Sequence, residues 1–160
     1  MVPFLVDTDR LFELFVFEWM KAHVPSQRLV VHGQESAAVG EAAWLRFRVD
    51  LVLRERETGP VWCVLDTKYK GSGEVDQAYI SQVVTYAKLK GATQAVPIYP
   101  TPLAYSLDHV FGDVRDRACT FSLAGDLEQA GQAFLKSVLS DIDRGAVRTL
   151  QWSLSGRKGA

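Results

Sequence analysis

Residues 44–54, WLRFRVDLVLR, alternate apolar with polar side chains, the period of a β-strand. Leu45, Phe47, Val49, Leu51 and Leu53 are expected on one face, as core. Trp44, Arg46, Arg48, Asp50, Val52 and Arg54 are expected on the other, which leaves one acid among arginines. After the turn signal Thr58-Gly59-Pro60, the stretch 61–70 (VWCVLDTKYK) runs apolar as far as Asp66. Such a run predicts a central strand covered on both faces, paired with its predecessor as a hairpin and ended by Gly71, Ser72 and Gly73.

Upstream, Asp7, Thr8 and Asp9 offer N-cap side chains to LFELFVFEWMKA, which is apolar nearly all round and predicts a buried helix. Glu13 inside that run is costly unless paired or coordinating. Residues 28–32 (RLVVH) predict a short strand, with GQESAAVGEAA as the loop that follows. Downstream, a helix is predicted over 76–90, closed by Gly91 at the C′ position. A strand over 94–99 contains Pro97, which argues for a sheet edge or a strand end. Residues 101–117 read as a further strand or a long loop, and 119–123 as a strand. Asp126 caps a last helix to about residue 143, with Gln129 at capping-box spacing and Leu127, Ala130, Phe134, Val138 and Ile142 as its stripe. The order α-β-β-β-α-β-α predicts an α/β fold, a small mixed central sheet flanked by helices. The 160 residues are expected to form one domain, with the tail 155–160 frayed.

Hydrophobic residues make up 48% and charged residues 23%, which excludes a disordered or fibrous chain. With 18 basic against 19 acidic residues the net charge is −1, so any attraction to nucleic acid must be local. Two cysteines, acids where a signal peptide needs a basic region, and apolar runs far short of 18 residues predict a cytoplasmic protein without a membrane span. No phosphate-binding loop motif occurs, two cysteines cannot hold a four-cysteine cluster, and His23, His32 and His109 lack zinc spacing.

The chemistry lies in Asp50 and in Asp66-Thr67-Lys68. Alternate strand residues share a face, so Asp66 and Lys68 point the same way, and hairpin pairing brings Asp50 to them. Two hard carboxylates beside an ammonium suit Mg²⁺, or Mn²⁺ in its place, with the remaining ligands taken from water and substrate phosphate. Lys68 would orient or deprotonate water, or stabilise charge on the phosphoryl oxygens. On the following helix Gln82 and Tyr86 stand four apart, on one face, with Tyr79 a turn earlier.

This pattern resembles the PD-(D/E)xK nuclease superfamily and its RecB-like branch, most of all the nuclease domain of McrC, the cleaving subunit of modified-cytosine restriction systems. The resemblance rests on LFELFVFEW, RVDLVLRERE, VLDTKYK, YISQVVTYA and AVPIYP, in that order. Val49 stands where the family has proline before its first aspartate, a difference of loop geometry and not of a ligand. The resemblance implies a restriction-endonuclease-like core. It also implies Asp50 and Asp66 as metal ligands, Lys68 as the catalytic lysine, and Gln82 and Tyr86 as support for the site. Glu13 resembles the acid of the first helix that completes the metal environment; a buried glutamate could instead pair with an arginine. Arg46, Arg48, Arg54 and Lys70 are expected to grip DNA phosphates, the alternative being a solvated strand face. The implied activity is a metal-dependent DNA endonuclease in antiviral restriction, with a GTPase or ATPase motor subunit supplied in trans and a homodimer or partner-driven pairing for double-strand cuts. The alternatives are a repair or junction-resolving nuclease on the same core, or an inactive DNA-binding or assembly module.

Overall fold

The computed structural model describes residues 5–40, 45–57, 59–69 and 75–140. Helix α1 (Thr8–His23) starts where the Asp7 side chain accepts from the Arg10 N–H and ends as Val24 returns to extended backbone. It is amphipathic: Phe12, Val16 and Met20 are buried while Leu11 and Leu14 remain exposed, which corrects the expectation of a helix buried all round. Strands β1 (Leu29–Val39), β2 (Leu45–Glu55) and β3 (Val61–Thr67) form an antiparallel meander. Most of the predicted loop after residue 32 is therefore strand. Its small and polar residues carry little strand signal of their own, and their ladder partners on β2, as far as Val39 opposite Leu45, supply the order.

Helix α2 (Gln77–Lys90) has the predicted ends. Asp76 accepts from the Ala78 and Tyr79 N–H groups, and Gly91 closes the helix at φ 68°, a left-handed position suited to glycine. Strand β4 (Gln94–Tyr99) lies parallel beside β3, inside the sheet and not at its edge. Its other side pairs with β6 (Val114–Arg117) at Gln94 and Ala95, then with β7 (Cys119–Thr120) at Ile98 and Tyr99. The Ile98 carbonyl bonds toward β3 while those of Thr93 and Tyr99 bond toward β6 and the chain beyond β7. Alternation turns Pro97 to the latter side, in the gap between the two partners, so its missing donor costs no ladder bond. Residues 108–117, ambiguous in the sequence, form a hairpin of β5 (Asp108–Phe111) with β6. The sheet runs β1-β2-β3-β4-β6-β5, with β7 beside β4. A last helix, α3, occupies 127–140. Asp126 caps it through the Gln129 N–H, and Leu127, predicted in its apolar stripe, is exposed. The predicted end of α3 and the tail 155–160 lie outside the described residues.

Two apolar layers cover the sheet. Phe12, Val16 and Met20 of α1 join Phe134, Leu135 and Val138 of α3 over Leu51, Leu53 and Leu65. Their close approach is set at Gly131, where an added Cβ would lie 2.2 Å from the Trp19 ring. On the opposite face Ile80, Val83, Val84 and Ala87 of α2 cover Val49, Val52, Val64 and Ala95. The five apolar positions predicted to share one face of β2 therefore divide. Phe47 and Val49 pack on the α2 side, Leu51 and Leu53 on the α1 side, and Leu45 is at the surface. The change of phase falls at Asp50. Among the described residues no helix is long and apolar enough to cross a membrane.

One buried charge stands apart from the other polar clusters. Asp116 on β6 is fully buried, and neither carboxylate oxygen has a hydrogen-bond partner among the described residues. Burial, and then Asp108, raise its pKa from 3.8 to about 7. Between those values the folded chain holds a proton that the unfolded chain releases. Stability from this group is therefore full at low pH and falls as pH rises, by up to about 1.4 kcal/mol per unit. The urea midpoint is expected to drop between pH 5 and pH 8 by less in Asp116→Asn than in the parent; equal drops would show that Asp116 does not titrate in this window.

Candidate active site

The pairing of Leu51 with Leu65 sets Asp50 and Asp66 side by side on the next rung, at the C-terminal end of β3. One oxygen of Asp50, Oδ2, accepts both the Thr67 N–H and the Thr67 hydroxyl, each at 3.0 Å. Thr67, named in the sequence only as the residue between Asp66 and Lys68 and given no role there, thus fixes the Asp50 rotamer from the strand that carries Asp66. Asp66 is 7% exposed, and Tyr79 of α2 donates to its main-chain oxygen at 2.9 Å. Lys68 follows directly, its N–H bonded to the Ile98 carbonyl at 2.9 Å and its Nζ 4.7 Å from the centre of the Tyr79 ring. Tyr79 therefore touches both Asp66 and Lys68, although it lies outside the Gln82 and Tyr86 motif. Its spacing one turn before Gln82 was the available signal.

These groups line one open cleft of about 520 Å³. The floor is Asp50, Asp66, Thr67 and Lys68; α2 contributes Tyr79 and Gln82, and α1 with its N-cap contributes Asp7, Asp9, Arg10 and Glu13. Glu13 accepts from Arg10 at 2.7 Å and from Gln34 of β1 at 2.9 Å. It thus pairs with an arginine, one of the two alternatives left open for it, and lines the same cleft as the carboxylates. Gln82 donates to the Tyr86 hydroxyl. Gln82 reaches the cleft, whereas Tyr86 is buried behind it against Phe47.

Of the arginines expected on the Asp50 face, Arg48 lines the cleft, and Arg46 is exposed on β2 outside its lining. Arg54 bonds Glu35 at 3.2 Å and the Gly59 carbonyl at 3.1 Å, and Lys90 bonds the same Glu35 at 2.6 Å. The break in alternation at Asp50 accounts for that separation. Lys70 lies outside the described residues.

Burial, opposed by the Thr67 bonds and reinforced by Glu13, raises the Asp50 pKa. Burial, then the neighbouring charge of Asp50, push Asp66 up to about 7. Among the described residues no three His, Cys, Asp or Glu side chains form a metal cage by themselves. The donor set is a pair of crowded carboxylates whose mutual repulsion a cation would relieve. That pair fits Mg²⁺, which keeps several waters and needs only one or two protein carboxylates beside a substrate phosphate.

The family described as McrBC 5-methylcytosine restriction system component matches residues 1–100. No curated protein matches the sequence. Among solved structures, a half-complex from the tetradecameric assembly of Thermococcus gammatolerans McrB AAA+ hexamers with bound McrC is similar, with a TM-score of 0.66 and 20% identity. The likeness covers 86% of this chain and 34% of that one, so the chain spans about a third of that relative's length, and at this identity the likeness is one of fold. It agrees with the mixed sheet between helix layers and with the core expected from the sequence. The match over residues 1–100 shows that the chain belongs to the McrBC 5-methylcytosine restriction system component family.

Proposed function

We propose that this chain is the nuclease module of a McrBC-type restriction system, hydrolysing DNA phosphodiesters with Mg²⁺ at Asp50 and Asp66. The observation that carries the reading is the convergence of Asp50, Asp66, Lys68 and Glu13 in one cleft from three separate elements. A divalent cation there supplies polarisation of the scissile phosphate and a lowered pKa for attacking water. The chain's own part is positional. Thr67 and the β2–β3 pairing hold the carboxylates together, Tyr79 holds Lys68 over the same space, and Arg48 offers a phosphate contact at the rim. Glu13, held by Arg10 and Gln34, completes the acidic side, while Gln82 and Tyr86 support α2. In the similar solved structure, McrC is bound to McrB AAA+ hexamers. For this chain that assembly supports a motor subunit acting in trans, and two such sites brought together would make the double-strand cut.

Nicking of supercoiled plasmid by the purified protein in Mg²⁺, Mn²⁺ or EDTA tests the reading, with Mn²⁺ binding measured in parallel. Metal-dependent nicking, or Mn²⁺ bound through Asp66 without nicking until a motor subunit is added, supports it. Neither nicking nor Mn²⁺ binding would overturn it in favour of an inactive assembly module.

DNA affinity should also divide the arginines. In fluorescence anisotropy across a salt series, Arg48→Ala is expected to weaken binding and to reduce the slope of log K against log salt by about 1. Arg54→Ala is expected to change both much less, because Glu35 and Gly59 already hold its guanidinium. Equal effects would remove the distinction between the two residues.

A further inference from the structure

Gln34 sits in the middle of β1 with φ 56°, in the left-handed region that a residue with a side chain adopts at a cost. Glycine or asparagine would take this backbone with less strain. Gly33 pairs with Leu51 and Glu35 with Val49, so Gln34 stands across from Asp50. At this point both strands change phase: Val31 packs on the α1 side and Ala37 on the α2 side, as Leu51 and Val49 do on β2. The left-handed residue thus marks the place where the ribbon turns over and delivers Asp50 to the end of β3. Its carboxamide reaches from the sheet to α1 and donates to Glu13 Oε1 at 2.9 Å. Arg10 donates to that same oxygen from within α1, and Oε2 takes neither bond. A helix neighbour alone would let the Glu13 side chain follow its own helix, whereas a donor from β1 ties its carboxylate to the strand pair that carries Asp50.

We infer that Gln34 is a positioning residue for the acidic site, holding the Glu13 carboxylate in register with Asp50 through its side-chain amide. This rests on the nuclease reading above. It assigns Gln34 no contact with substrate; it acts through Glu13. Partners that orient a ligand carboxylate commonly contribute on the order of tenfold or more to metal affinity or activity.

The test uses the whole chain as wild type, Gln34→Gly, Glu13→Gln, the double variant and Asp66→Ala, with calorimetric Mn²⁺ affinity, the plasmid nicking rate and Tm as readouts. Glycine keeps the left-handed backbone and removes the side chain, the amide with it. Gln34→Gly is expected to melt at or above the wild-type temperature while binding Mn²⁺ and nicking roughly tenfold less well. The double variant is expected to be no worse than Glu13→Gln alone, since the two act as one unit. Wild-type Mn²⁺ affinity in Gln34→Gly, losses that add in the double variant, or a loss that merely follows a fallen Tm would each overturn the inference. Failure of the underlying reading looks different: Mn²⁺ binding that is absent from the wild type or survives Asp66→Ala.

Discussion

Replacing Asp66 with alanine or asparagine is expected to lower metal-dependent DNA cleavage by about a thousandfold or more, because the several kcal/mol that a held cation contributes correspond to a tenfold change per ~1.4 kcal/mol. The same substitutions are expected to leave the fold intact. Asp66 is buried beside a second acid, and burial first, then the Asp50 charge, raise its pKa from 3.8 to about 7. Between those values the folded chain binds a proton that the unfolded chain has lost. The group's contribution to stability is therefore full below pH 3.8, declines as pH rises and is at its least favourable above 7. Asp66→Asn keeps the shape of the side chain and removes that penalty. The metal-free variant should therefore gain in Tm over the parent at pH 8 and gain little at pH 4. Wild-type cleavage by Asp66→Asn would exclude Asp66 from the chemistry. Lost cleavage accompanied by a collapsed Tm at pH 8 would instead make Asp66 a structural acid.

That combination, a site costly to the fold and central to the proposed activity, explains why the site was the legible part of the sequence. Asp66 ends an apolar run where nothing structural asks for a carboxylate. The alternation of β2 and the turn at Gly59 were enough to bring Asp50 beside it. Helix α2 was legible for a local reason, since Asp76 and Gly91 mark its ends by side-chain capping and by a left-handed φ. What stayed hidden depends on partners distant in the chain. Residues 33–39 become strand only because β2 supplies their ladder, and Pro97 is tolerated inside the sheet only because β6 ends before β7 begins. Strict alternation placed Arg54 with Asp50, but the turnover at Gln34 and Asp50 breaks that phase and sends Arg54 to Glu35. A positive φ at a glutamine has no sequence signature. Tyr79 offered one signal, its spacing a turn before Gln82, whereas the contacts of Thr67 and Gln34 with the site could not be read before the fold was known. Each of the three acts on a residue already identified from the sequence, so the supporting contacts were harder to read than the groups they support.

Lys68→Ala is expected to reduce the cleavage rate by about a hundredfold or more while DNA affinity changes little, the signature of a charge used on the reacting phosphate and not on the grip. The geometry gives Lys68 a fixed place. Its backbone is tied to Ile98, and its ammonium lies over the Tyr79 ring, a contact that favours a cation without neutralising it. The ring is itself anchored, since the Tyr79 hydroxyl bonds the main-chain oxygen of Asp66. Ammonium and carboxylate are thereby held to one frame, and a displaced lysine would cost rate even with its charge kept. Lys68→Arg should consequently restore little, because a planar guanidinium fork on a longer side chain cannot occupy the position of a compact ammonium. Single-turnover cleavage rates and anisotropy affinities on the same duplex, for Lys68→Ala and Lys68→Arg against the parent, separate these effects. A parallel fall in affinity and rate would move Lys68 to the phosphate-gripping set with Arg48, and parental rates in Lys68→Ala would remove it from the mechanism altogether.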